Sequence, residues 1–195
     1  MPDHKEKWLA KAEIDYFSPF VTLWLACNSW YNSHYPDAGT RDRDKINKIK
    51  IDDTRRNHIR SRLKKLFSER SPESTAFKGN VEQLVRALDN AGLQEDDGQG
   101  INFDNASCTP GAARESLKVT INRTINGKIR SKDSSRVIDL GTLTVTSDED
   151  KLFSGLFEII YAIRCKLVHG TLEPNENNHT VVKYAYLVLW DLMNF

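Results

Sequence analysis

The sequence predicts a mainly α-helical bundle of about five helices, with an irregular or small β insert ahead of the last two. Three observations predict it. Apolar residues recur at helical spacing in five windows. Glycine, proline and asparagine punctuate the gaps between those windows. Residues 93–146 sustain no single period. At 195 residues, with 39% hydrophobic and 28% charged content, the chain fits one domain spanning 1–195 with a sizeable core.

The first window runs from about Glu13 to Tyr35, with Ile14, Phe17, Phe20, Val21, Trp24, Leu25 and Asn28 at helical spacing. Ser18-Pro19 either breaks it or starts a second helix, because proline fits a first turn but not a helix interior. Pro36, Asp37 and Gly39 mark a turn. A second helix is expected over about Thr54 to Phe67, on Ile59, Leu63, Leu66 and Phe67. A third covers about Ser74 to Asn90, on Phe77, Val81, Leu84, Val85 and Leu88, and Asn90-Ala91-Gly92 supplies its stop. Leu93 to Ala112 reads as a loop, and a calcium loop fails there because Ala106 stands where a closing glutamate would be needed. Leu117 to Thr146 is ambiguous. Asn126-Gly127 between β-branched residues suggests a hairpin, whereas Leu117, Ile121, Ile125 and Ile129 recur every four residues. One strand is expected near Gly141 to Thr146. Ser147-Asp148-Glu149-Asp150 then opens a helix that ends at Gly170, and the last helix spans about Glu176 to Phe195.

Composition narrows the function classes. A net charge of +1 demands neither nucleic acid nor membrane. Cys27, Cys108 and Cys165 are odd in number and far apart, which argues against a disulfide framework and a zinc ligand set. Charged residues follow Met1, so a secretory signal is not expected, and the apolar run Phe17 to Cys27 is too short to span a bilayer. A cytoplasmic protein that stays off the membrane is the expectation.

Chemistry concentrates on one helix. On a wheel of about 100° per residue, Leu152, Leu156, Ile159, Ile160, Ile163 and Leu167 share an arc that must face the core. Opposite lie Glu158, Tyr161, Cys165 and His169, with Arg164 on one flank, and this face is expected to be an interface between two copies.

Arg164-Cys-Lys-Leu-Val-His169 followed by glycine resembles the Arg-x4-6-His motif of the HEPN superfamily, small helical domains common in bacterial toxins and antiviral nucleases. The surroundings of the motif resemble the family too. They comprise a long apolar helix, an aromatic three residues before the arginine, a closing amphipathic helix, and the tryptophan-rich opening segment WLACNSWYNSHY. The resemblance covers both ends of the chain but not residues 93–146. It implies a HEPN-like bundle and metal-independent endoribonuclease chemistry, with Arg164 and His169 catalytic and Glu158, Tyr161 and Cys165 supporting. The alternative is a non-catalytic HEPN module that binds RNA, a nucleotide or a partner protein.

The chemistry suits the residues. RNA cuts itself when its 2′-hydroxyl attacks the adjacent phosphate, so an enzyme need only move protons and stabilise charge. Histidine exchanges protons near neutral pH and arginine holds phosphate through a planar fork. No cofactor or metal is expected. Residues five apart on a helix diverge by about 140°, so one copy cannot clamp one phosphate with both. The resemblance implies a homodimer that builds a composite site, and an antitoxin or effector protein as a possible further partner. Cys165 stands where the family commonly has a polar residue and is read as a packed side chain. Thr171 stands where nucleotidyltransferase-paired members carry a modified tyrosine.

Between Arg41 and Arg70 there are twelve Lys or Arg against five acidic residues. Arg55, Arg56, Arg60 and Lys64 are the candidate RNA-backbone contacts there. Trp24, Trp30 and Tyr31 are read as core. His4, His34, His58 and His179 show no ligand spacing, and Asn177 and Asn178 are read as helix capping or as neighbours of His169. A structural alternative pairs Arg164 with Glu158.

Overall fold

The structure is a computed structural model that describes residues 15–195. The expectations resting on Met1, His4, Glu13 and Ile14 lie outside the described residues. Among the described residues, six helices and one hairpin follow in order: α1 (Phe17–His34), α2 (Asp42–Ile51), α3 (His58–Ser68), α4 (Pro72–Ala91), β1 (Val137–Asp139), β2 (Thr144–Thr146), α5 (Glu149–Val168) and α6 (Glu176–Met193). The fold is therefore mainly α with a small β insert. The α2 helix forms where no helix is expected.

Local chemistry sets the boundaries. Pro19 falls in the first turn of α1, so Ser18-Pro19 begins a helix and does not break one. Asn57 accepts a hydrogen bond from the Arg60 amide at 3.1 Å, which moves the start of α3 from about residue 54 to His58. Ser71 caps α4, whose end is set by Gly92 at φ +60°, a left-handed conformation that costs glycine nothing. Asn175, not Asn177 or Asn178, caps α6 by accepting from the Asn178 amide at 3.0 Å.

α4 packs most extensively on α6, which also contacts α1 and α3. α5 lies among α1, α2, α3, α6 and β2. Every residue of α5 from Leu152 to Ile163 is buried. An apolar arc alone cannot produce this. The helix is covered on its polar side too.

The insert reaches α5 as an irregular layer. Its anchors Ile101, Phe103, Ala106, Cys108 and Leu117 are buried. The Leu117 amide donates to the Phe103 carbonyl at 2.7 Å, and the Thr146 amide donates to the Leu117 carbonyl at 2.9 Å. Gly155 of α5 permits this approach, since a Cβ there would stand 2.8 Å from Leu117 Cδ1 and 3.1 Å from Ala106 Cβ. No helix forms over residues 117–129, and the four-residue spacing fails because Ile125 is fully exposed. Asn126-Gly127 does turn the chain, with Gly127 at φ +74° and the Thr124 amide donating to the Lys128 carbonyl at 2.9 Å. The strands pair later, with Val137 opposite Thr146 and Asp139 opposite Thr144.

Candidate functional site

The Arg164–His169 segment occupies the last turn of α5. Asp148 caps the start of this helix by accepting from the Lys151 amide at 3.0 Å. His169 is the residue at its C-terminal cap, and Gly170 at φ +69° ends it. His169 is exposed, whereas Arg164 and Cys165 are half-buried.

Arg164 and His169 do not meet within one chain. The Arg164 guanidinium lies 3.1 Å from the Asp42 carboxylate and 5.7 Å from the Trp24 ring centre. Its Nε is buried without a partner among the described residues. Asp42 sits in the first turn of α2, where the helix dipole favours a negative charge. Burial, then the Asp42 carboxylate, pushes the Tyr31 hydroxyl well above its ordinary range. The structural alternative for Arg164 is corrected in its partner: the arginine pairs with Asp42, not with Glu158.

Glu158 is buried and held by two cations of α2. Arg43 Nη1 donates to it at 2.5 Å and Lys50 Nζ at 2.6 Å. Lys50 also donates to the Ser107 carbonyl at 2.7 Å, tying the insert to the same point. The Arg43 guanidinium lies 4.4 Å from the centre of the buried Tyr161 ring. Burial first, and then the neighbouring Cys165, push the Tyr161 hydroxyl up to about 12. Glu158 and Tyr161 are thus not an open face awaiting a second copy, because α2 already covers them. Residues seven apart return to one helix face, so Arg43 and Lys50 aim together at α5.

His169 opens onto a cavity of about 400 Å³ shared with Arg43, Cys165 and Lys166. The acidic run Glu95–Asp97 lines the same cavity. Lys166 Nζ donates to Asp96 at 2.7 Å, and this bond holds the Asp96 carboxyl below its usual range. Arg164 does not line the cavity. The three cations nearest the motif each carry a carboxylate of their own chain: Asp42 on Arg164, Glu158 on Arg43 and Asp96 on Lys166. Among the described residues, no group of three or more His, Cys, Asp or Glu side chains is placed to hold a metal ion.

The basic stretch divides. Arg55 and Arg56 are exposed and make no ion pair among the described residues. Arg60 is buried, donating to the Asp52 carbonyl at 2.8 Å and pairing with Asp150 at 2.9 Å. Lys64 leans on Glu149 and Asp150 at 3.4 and 3.5 Å. Both pair with the acidic first turn of α5; Arg60 is turned inward by that pairing, whereas the Lys64 side chain stays 40% exposed. Trp24 and Tyr31 are core, while Trp30 is half-buried. Asp42, Arg43 and Lys50 are the residues that sequence reasoning missed. Their signal was the placing of Arg43, Ile46 and Lys50 on one face of DRDKINKIKI.

No family model, no curated protein and no solved structure matches this chain. No helix among the described residues is long and apolar enough to cross a membrane.

Proposed function

We propose that the protein is a metal-independent endoribonuclease of the HEPN type that works as a homodimer, in a bacterial toxin or antiviral defence setting. The observation that carries this reading is the exposed His169 at the mouth of a cavity shared with Arg43 and Lys166, one turn beyond a guanidinium whose fork is held by Asp42 and Trp24. His169 moves protons. It takes one from the attacking 2′-hydroxyl and, with the second copy's histidine, returns one to the departing 5′-oxygen. Arg164 holds the phosphate as negative charge builds on its oxygens. Because Arg164 lies outside the cavity of its own His169, the two act together only across a twofold axis. The contact is confined to the exposed end of α5, where Val168 is 49% exposed. An antitoxin or effector protein fits the same exposed end.

A second reading is favoured by the three carboxylates on Arg164, Arg43 and Lys166: a non-catalytic HEPN module that binds RNA or a partner protein. Cleavage assays separate the two. His169→Ala should lower the rate by about 10²–10⁴-fold, Arg164→Lys should fail to replace the bidentate fork, and the products should end in 2′,3′-cyclic phosphate. A wild-type protein that is monomeric and inert on a broad RNA panel would leave only the binding reading.

A further inference from the structure

A second basic surface lies on the side of α3 turned away from Arg60 and Lys64. His58, Ser61, Arg62 and Lys65 fall at i, i+3, i+4 and i+7, which makes them one stripe. With Asn194 and Phe195 they line a cavity of about 420 Å³ that has no acidic side chain in its wall. Arg62 is held in place, donating through Nε to the Asp191 carbonyl at 3.1 Å and through Nη2 to Glu73. Lys65 is 57% exposed and its nearest carboxylate, Glu69, is 3.9 Å away.

Aromatic rings run alongside these cations. Phe195, 56% exposed, has its ring 5.2 Å from His58. His58 stands 5.4 Å from His34, and His34 stacks on Trp30 at 4.8 Å. Past His34 a further cavity of about 550 Å³ is lined by Lys48 and Arg56, together with Asp37 and Asp52. Asp52 there accepts from the Tyr35 hydroxyl at 2.7 Å. The result is one track with rings in the middle, the exposed Lys65 beside the Glu73-paired Arg62 at one end, and Lys48 and Arg56 among Asp37 and Asp52 at the other.

We infer that this track is a binding site for single-stranded nucleic acid. An unstacked base lies on the exposed face of Phe195, and Lys65 meets the adjoining phosphate beside the fixed Arg62. The strand continues past His58 and His34 toward Lys48 and Arg56. Ring faces accept any base, and exposed cations bind phosphate by releasing counterions, so the site is indifferent to sequence. A duplex cannot use it, because stacked bases have no free face to offer the ring. The site shares no residue with the Arg164–His169 motif and stands whether or not that motif cleaves RNA.

The test uses fluorescein-labelled oligodeoxythymidylate of roughly ten nucleotides, which lacks the 2′-hydroxyl and cannot be cut by the proposed chemistry. Anisotropy titration of the wild type should show binding that weakens as salt rises. Phe195→Ala should weaken it about 5- to 100-fold, while Phe195→Tyr, which keeps the ring, should bind as the wild type does. Lys65→Glu and Arg56→Glu should weaken binding and flatten its salt dependence. Melting curves should shift little for Phe195→Ala, since that residue is 56% exposed and meets the His58 and Trp30 rings edge-on. Three outcomes would each overturn the inference: no binding by the wild type at low salt, equal affinity for Phe195→Ala and the wild type, or binding lost through His169→Ala but not through Phe195→Ala. Failure of RNA cleavage alone would bear on the motif and leave this result standing.

Discussion

Arg164 of α5 and Asp42 of α2 form an ion pair at 3.1 Å, and the guanidinium reaches that pair over the Trp24 ring. The arginine of the motif is thus positioned by two elements far from it in sequence. In the proposed chemistry a phosphate oxygen would have to displace the Asp42 carboxylate from this guanidinium.

Asp42→Asn tests that relationship. The charge-assisted bond contributes about 1–3 kcal/mol, so urea denaturation should show a loss in that range with the fold kept. RNA affinity should rise several-fold, because the freed guanidinium no longer has a carboxylate to leave. If Asp42→Asn and Arg164→Ala both leave RNA binding and cleavage at wild-type levels, Arg164 is a structural residue only.

Glu158 sits in a buried cluster with Arg43 and Lys50. Glu158→Gln leaves the almost fully buried Lys50 ammonium without its counter-charge, and loss of one partner from such a pair costs about 3–5 kcal/mol. Adding Lys50→Met should recover part of the loss, since the stranded charge is then gone. A loss below about 1 kcal/mol for Glu158→Gln would show that water or movement of α2 relieves the charge.

The Tyr161 hydroxyl, pushed up to about 12, gives a pH signature. An unfolded tyrosine ionises near about 10. The folded chain is therefore favoured by the neutral hydroxyl below that pH, and the contribution disappears as pH climbs through about 12. Tyr161→Phe removes the dependence, so the variant should gain about 1 kcal/mol on the wild type between pH 8 and pH 11. Parallel stability profiles over that range would contradict the assignment.

Much of the bundle was legible in the sequence because burial repeats at helical spacing. The stripes of α3 and α4 are buried as expected, and Asp148 starts α5 and Gly92 ends α4 by local chemistry that needs no distant partner. The α2 helix was not legible, because its inward positions include Lys45 and Lys50, and a lysine reads as surface until its partner is known. The four-residue spacing of Leu117, Ile121, Ile125 and Ile129 misled for the converse reason. Only Leu117 is fully buried, held against Gly155 of α5.

The sequence by itself determined the helical class, most helix ends, the buried arc of α5 and the Arg164-x4-His169 spacing. These depend on backbone capping and on periodic burial, which act within a few residues. Tertiary structure alone decided which charges are available. Arg60, Arg43, Lys50 and Arg164 are alike as letters, yet each is neutralised by a carboxylate from another element, whereas Arg55, Arg56 and Lys65 remain at the surface. An ion pair forms between side chains brought within about 4 Å by the packing of whole helices, and sequence spacing carries no record of that distance.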